Sequence, residues 1–125
     1  MSAQTFNTLT LEERGAVDWL TLNRPEAMNA LSPEMVTELT AYFRGLATRP
    51  ERRIVVMTGA GKHFCAGLDL KAKGDISDAL DTGTVQEGLI SQRDIAEIYL
   101  AMRRCPQVII SLINGAACGG GFSLA

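Results

Sequence analysis

Two glycine-bearing turns, each directly after a β-like run, are the parts of this sequence best suited to chemistry. The first is Gly59-Ala60-Gly61-Lys62-His63-Phe64-Cys65-Ala66-Gly67-Leu68-Asp69-Leu70-Lys71, following Ile54-Val55-Val56-Met57. The second is Asn114-Gly115-Ala116-Ala117-Cys118-Gly119-Gly120-Gly121-Phe122, following Val108-Ile109-Ile110-Ser111-Leu112-Ile113. Two strand-to-turn crossings with bare backbone can offer two converging N–H donors, which is what an oxyanion site needs. Such donors stabilise negative charge on a carbonyl oxygen, so the pair points to chemistry on an acyl group. Either cluster alone reads equally well as tight packing of a strand on a helix; it is the pair that favours a site. A phosphate loop does not fit, because Val56 stands where a Walker loop needs glycine and His63 where it needs Ser or Thr. The second turn lacks the Gly-x-Gly-x-x-Gly spacing of dinucleotide binders.

The elements that must position these turns are legible as periodicities. Phe6 to Glu13 alternates loosely, Arg14-Gly15 turns, and Ala16 to Leu22 alternates again, which predicts a hairpin. Pro25 pushes Arg24 out of the helical region, so Asn23 to Glu26 is a turn or loop. Ser32-Pro33-Glu34 combines a hydroxyl cap, proline at the first helical position and an acid near the positive end of the dipole. Met35, Val36, Leu39, Tyr42, Phe43 and Leu46 then recur at helical spacing and predict one buried face. Ile54 to Thr58 is a continuous apolar, β-branched run, expected to be a strand buried on both sides. Lys73 to Gly83, rich in Asp, Gly and Ser-type residues with few large apolar side chains, reads as a mobile loop. A second helix over Val85 to Arg104 should turn Leu89, Ile95, Ile98, Tyr99 and Met102 inward, and Cys105-Pro106 stops it. Val108 to Ile113 is expected to be a further buried strand. Strands joined by crossover helices mean an α/β layer arrangement with a parallel sheet.

Composition narrows the class. The 125 residues suit about one domain, and 46% hydrophobic residues suffice for a core. A net charge of −2, with no basic stripe interleaved with aromatics, argues against a nucleic-acid partner. Cys65, Cys105 and Cys118 have no metal-ligand spacing and read as small buried thiols of a reducing compartment. No basic-then-apolar leader and no run of about 18 apolar residues is present, so neither export nor a membrane partner is expected, and the cytoplasm is the default location. The chain stops at Ala125 within the first turn of a helix, so it reads as cut rather than finished.

Three strings carry a resemblance: Leu22-Asn23-Arg24-Pro25-Glu26-Ala27-Met28-Asn29-Ala30-Leu31, Phe64-Cys65-Ala66-Gly67-Leu68-Asp69-Leu70-Lys71 and Asn114-Gly115-Ala116-Ala117-Cys118-Gly119-Gly120-Gly121. In order and spacing they resemble the enoyl-CoA hydratase/isomerase (crotonase) family. The resemblance covers nearly the whole chain but only about the N-terminal half of a typical member. It implies an α/β, crotonase-like spiral of ββα units, with residues 1–125 as the truncated N-terminal part of an acyl-CoA-binding domain. It further implies trimers or dimers of trimers in the full-length protein. The ligand it implies is an acyl-CoA or enoyl-CoA thioester. Coenzyme A is then part of the substrate, with no metal and no tightly bound cofactor.

By the same resemblance the thioester oxygen is held by the backbone N–H groups of Leu68 and Gly120. Ala66 and the stretch Leu68, Asp69, Leu70 and Lys71 line the adenine and phosphate end of coenzyme A. Lys71 reads equally as a cation near a phosphate or as a solvated loop lysine. One departure stands out: Ser123 occupies the position where family hydratases carry a catalytic glutamate. A serine is too weakly acidic to act as a general acid or base near neutral pH without an activating partner. The implied enoyl-CoA chemistry therefore has an alternative, a non-catalytic acyl-CoA-binding protein on the same fold. His63 is expected to be an exposed loop histidine beside an inward Phe64, Asp69 a cap or loop anchor, and Asp75, Asp78 and Asp81 solvated charges.

Overall fold

The computed structural model describes residues 5–69 and 85–125, with only the backbone of 85–88, 90 and 91. Strands β1 (Leu9–Arg14) and β2 (Val17–Leu22) form an antiparallel hairpin whose terminal pair is Arg14↔Val17. The turn is therefore Gly15-Ala16, one residue later than the sequence suggests. Gly15 takes φ +58°, the positive first position that a two-residue hairpin turn of type II′ requires. A short 3₁₀ turn, Pro25–Ala27, leads to helix α1 (Pro33–Gly45). The helix start is as expected: the Ser32 side chain accepts the Met35 N–H at 3.1 Å, with proline at the first position.

Strand β3 (Ile54–Gly59) pairs parallel to β2, and β4 (Val108–Ser111) pairs parallel to β3, giving the order β1-β2-β3-β4. Helix α2 (Val85–Arg104) makes the crossover between β3 and β4, and a short helix α3 (Gly120–Leu124) follows the second glycine turn. The succession β1-β2-α1 is one ββα unit. One face of the sheet, with Leu20, Leu22, Val55 and Met57, packs on the apolar stripe of α1, where Met35, Leu39, Tyr42 and Phe43 are buried, as is Leu46 just past its end. Ile98 and Ala101 of α2, Phe64 and Cys65 of the first turn, and Leu124 of α3 complete the same core.

Two expectations fail. Leu89 of α2 is 64% exposed, whereas Ile98 is buried and Ile95, Tyr99 and Met102 pack partly against the core. Strand β4 is not buried: it ends at Ser111, and Val108 and Ile110 are 60% and 44% exposed. The physical reason is position. Among the described residues β4 is an edge strand, and the face that Val108 and Ile110 share with Ile54 and Val56 carries no helix over β4. The loop expected at Lys73 to Gly83 lies outside the described residues.

Candidate active site

Because β3 and β4 run parallel, their C-terminal ends lie at the same edge of the sheet, and the two glycine turns leave it side by side. Backbone bonds stitch them together. Ala116 O accepts from the N–H groups of Phe64 (3.1 Å) and Cys65 (3.0 Å), and Cys118 N–H donates back to Cys65 O at 3.0 Å. A single parallel bridge, Cys65↔Ala117, results.

Two asparagines clamp the first turn. The Asn114 amide donates to Gly59 O at 2.8 Å and Gly61 O at 3.1 Å, while its oxygen accepts Gly59 N–H at 3.1 Å. Fully buried Asn29 donates to Ala60 O (2.9 Å) and His63 O (2.8 Å) and accepts Arg24 N–H at 2.8 Å. Asn29 reaches this position in the left-handed region, φ 54°, which asparagine tolerates better than most residues. Asn29→Ala would orphan buried backbone groups and add left-handed strain, so it is expected to cost about 3 kcal/mol of stability in urea unfolding.

The segment that follows Cys65 is then aimed. Ala66 N–H donates to Met28 O at 3.1 Å, Leu31 N–H to Gly67 O at 2.7 Å, and Asp69 N–H to Leu31 O at 3.0 Å. In this parallel bridge Leu31 bonds the neighbours of Leu68, so the amide of Leu68 itself points away from Leu31. Gly67, at φ +99°, lies against the second turn: a Cβ there would sit 2.9 Å from Cys118 O and 3.8 Å from Gly119 Cα. Gly119 adopts φ 53° and ψ −122° and starts α3 at Gly120. Leu68 and Gly120 each follow one member of this abutting glycine pair. Among the described residues neither of their N–H groups donates to a backbone carbonyl. For Gly120 that is expected of the first residue of a helix.

The remaining predicted residues are placed as follows. Asp69 is buried, and its carboxylate meets Arg24 Nη2 at 2.8 Å, so it anchors the loop as expected. Ala66 and Leu68 are half-buried. Leu70 and Lys71 lie outside the described residues, as do Asp75, Asp78 and Asp81. Phe64 is buried, while His63 is half-buried and contributes its carbonyl to the Asn29 clamp. Of the thiols only Cys65 is buried, Cys105 being half-buried and Cys118 exposed. Burial pushes the Cys65 thiol above its ordinary pKa, so it stays neutral. Ser123 is exposed on the first turn of α3.

Sequence reasoning missed the polar role of Tyr99. Its hydroxyl donates to Gly120 O at 3.0 Å, and burial raises its pKa. The roles of Asn29 and Asn114 were missed as well. Their signal was faint: an asparagine at the end of a turn, and another at the first position after a strand run.

Comparison with known proteins now bears on this geometry. Residues 12–125 match the enoyl-CoA hydratase/isomerase family. The chain belongs to that family. It is 37% identical over 118 residues to an (E)-benzylidenesuccinyl-CoA hydratase of Thauera aromatica, covering 94% of this chain and 43% of the relative. It is 31% identical over 132 residues to a peroxisomal Δ(3,5)-Δ(2,4)-dienoyl-CoA isomerase of Arabidopsis thaliana, covering 99% of this chain and 48% of the relative. Among solved structures, Pseudomonas aeruginosa AtuE superposes with a TM-score of 0.83 at 35% identity, over 93% of this chain and 43% of that one. The fold is thus the α/β crotonase fold, and the chain spans less than half the length of the curated relatives it matches.

Proposed function

We propose that the protein carrying these residues is an acyl-CoA enzyme of the hydratase or isomerase type, which holds a thioester carbonyl between the amides of Leu68 and Gly120. One observation carries this reading: Gly67 and Gly119 abut, and among the described residues the two amides that follow them have no backbone partner. Donors fixed in this way need no reorganisation when negative charge develops on the oxygen as a thioester enolate forms. In this reading Ala66, Leu68, Asp69, Leu70 and Lys71 line the coenzyme A end, with the Asp69 carboxylate acting through its anchor on Arg24. Coenzyme A enters only as part of the substrate. Trimers or dimers of trimers belong to the same proposal. So does a cytoplasmic location, although the name of the Arabidopsis relative places that protein in the peroxisome.

Gly120 is the first residue of α3 and has no positive φ, so proline fits its backbone while removing the N–H. A Cβ at this position would approach Leu31 Cδ1 at 2.9 Å and the Tyr99 hydroxyl at 3.1 Å, which alanine and proline share. In the full-length protein Gly120→Pro is expected to lower kcat on a short enoyl-CoA by about 10²–10³, with Gly120→Ala losing far less. Equal losses in the two variants would refute the oxyanion role. The second reading, a binding protein without chemistry, rests on Ser123 in place of the family glutamate. It predicts tight acyl-CoA binding with no loss of enoyl absorbance in the wild type.

A further inference from the structure

A groove of about 420 Å³ lies between α1 and α2, and Leu31 is among the described residues that line it. Leu31 also belongs to the candidate site. Its N–H and carbonyl bond the neighbours of Leu68, and its Cδ1 would stand 2.9 Å from a Cβ on Gly120. One side chain is thus common to the donor pair and the groove. From Leu31 the groove follows one face of α1, where Val36, Thr40 and Arg44 recur every fourth residue. Between Pro33 and Arg44, which both line it, the helix rises about 16 Å. Buried Val36 and half-buried Ile95 supply apolar walls. The polar lining is dominated by acceptors: Arg44 Nη2 is engaged by Glu97 Oε2 at 2.8 Å, and Asp94 adds a second carboxylate. The Thr37 hydroxyl gives its proton to Pro33 O at 3.1 Å, so it too can only accept.

We propose that this groove takes the acyl chain of the thioester, and that the chain it fits is apolar along its length and ends in a hydroxyl. The proposal rests on the acyl-CoA reading above and names its substrate class, a medium-length acyl group with a hydrogen-bond donor at its far end. With the carbonyl held beside Leu68 and Gly120, the chain enters the groove alongside Leu31. Its methylenes leave water against Val36 and Ile95. Its terminal hydroxyl donates to a carboxylate of Asp94 or Glu97. A terminal carboxylate would instead face two like charges against one guanidinium.

The test is the Kd, by calorimetry on the full-length protein, of butyryl-CoA, decanoyl-CoA and decanoyl-CoA carrying a terminal hydroxyl or a terminal carboxylate. Binding needs no turnover, so the measurement serves a catalyst and a binding protein alike. Decanoyl-CoA is expected to bind at least about tenfold tighter than butyryl-CoA. The terminal hydroxyl should add about fivefold, and the terminal carboxylate should lose that gain. Ala41 lines the groove and is exposed on α1, so Ala41→Trp fills the groove without entering the core. It is expected to bring the decanoyl-to-butyryl ratio close to one. Thr37→Trp, at a second exposed position of the lining, gives the same check should Ala41→Trp not fold. A wild type that binds no butyryl-CoA refutes the acyl-CoA reading itself. Butyryl-CoA binding with decanoyl-CoA no tighter, or a ratio unchanged by the tryptophan, overturns only the groove. A terminal hydroxyl that binds no better than the plain chain or the carboxylate overturns the substrate class.

Discussion

On the proposed acyl-CoA reading, Gly121→Ala is expected to lower turnover of an enoyl-CoA by about a hundredfold in the full-length protein, although that reading gives residue 121 no contact with the substrate. A Cβ at this position would stand 2.2 Å from Cys65 O and 2.7 Å from Cys65 Cβ, contacts that real structures do not contain. Cys65 cannot yield, because its N–H bonds Ala116 O and its carbonyl accepts from Cys118 N–H. Helix α3 must therefore lift away from the first turn, and it carries the Gly120 amide with it. A displacement near 1 Å between fixed donors and the reacting atoms costs about 10²-fold. The measurement is kcat/KM beside a thermal melt. Overpacking alone costs about 1–3 kcal/mol, so most of the chain should remain folded while activity is lost. A variant with wild-type kcat/KM would show that the abutment of the turns does not set the donor geometry.

Asp18→Ala is expected to be the most destabilising single change, at about 3–5 kcal/mol in urea unfolding. Asp18 is fully buried in β2 and accepts from Tyr42 Oη at 2.6 Å and Arg52 Nε at 2.7 Å, with Arg52 Nη2 at 2.6 Å. Arg52 is itself buried, and its other carboxylate neighbour, Glu13, stands 4.0 Å away, so removing Asp18 strips the guanidinium of its close counter-charge inside the protein. Burial, reinforced by the Asp18 carboxylate, pushes the Tyr42 hydroxyl far above its ordinary pKa, so it remains a donor throughout the physiological range. Tyr42→Phe should accordingly cost much less, about 1–2 kcal/mol, because it removes one donor and strands no charge. Equal losses for the two variants would mean that Arg52 finds another partner when Asp18 is gone.

The sequence reveals most where the physics is local. Ser32, Pro33 and the apolar residues from Met35 to Leu46 belong to one helix and its two caps, and each of them behaves as its spacing predicts. The proximity of the two glycine turns was legible for a different reason: both follow apolar runs, and parallel strands bring their ends together. What stayed hidden depends on distant residues. Asn29 and Asn114 each reach across dozens of positions to hold the carbonyls of one turn, and nothing beside them in the chain announces the partner. Tyr99 reads as one more apolar residue of α2 until Gly120 O is seen 3.0 Å from its hydroxyl. Val108 and Ile110 show the converse error: an apolar, β-branched run reports a preference for burial, not what covers it.

The clamps that hold the two turns also set an order in time. The β1–β2 hairpin and α1 involve neighbours in sequence and can form early. The contacts that create the donor pair, by contrast, join Gly59 to Asn114 and Cys65 to Cys118, so each closes a loop of some fifty residues. Their entropy must be overcome before any of them is rewarding. As the polypeptide is synthesised, the first turn emerges with Asn29 already present to hold it, but its second clamp, Asn114, follows only some fifty residues later. The amide of Leu68 waits for the arrival of Gly119 and Gly120. The centre read here as catalytic is among the last features of this chain to come into being, and a partly folded molecule keeps its hairpin and first helix while lacking it altogether.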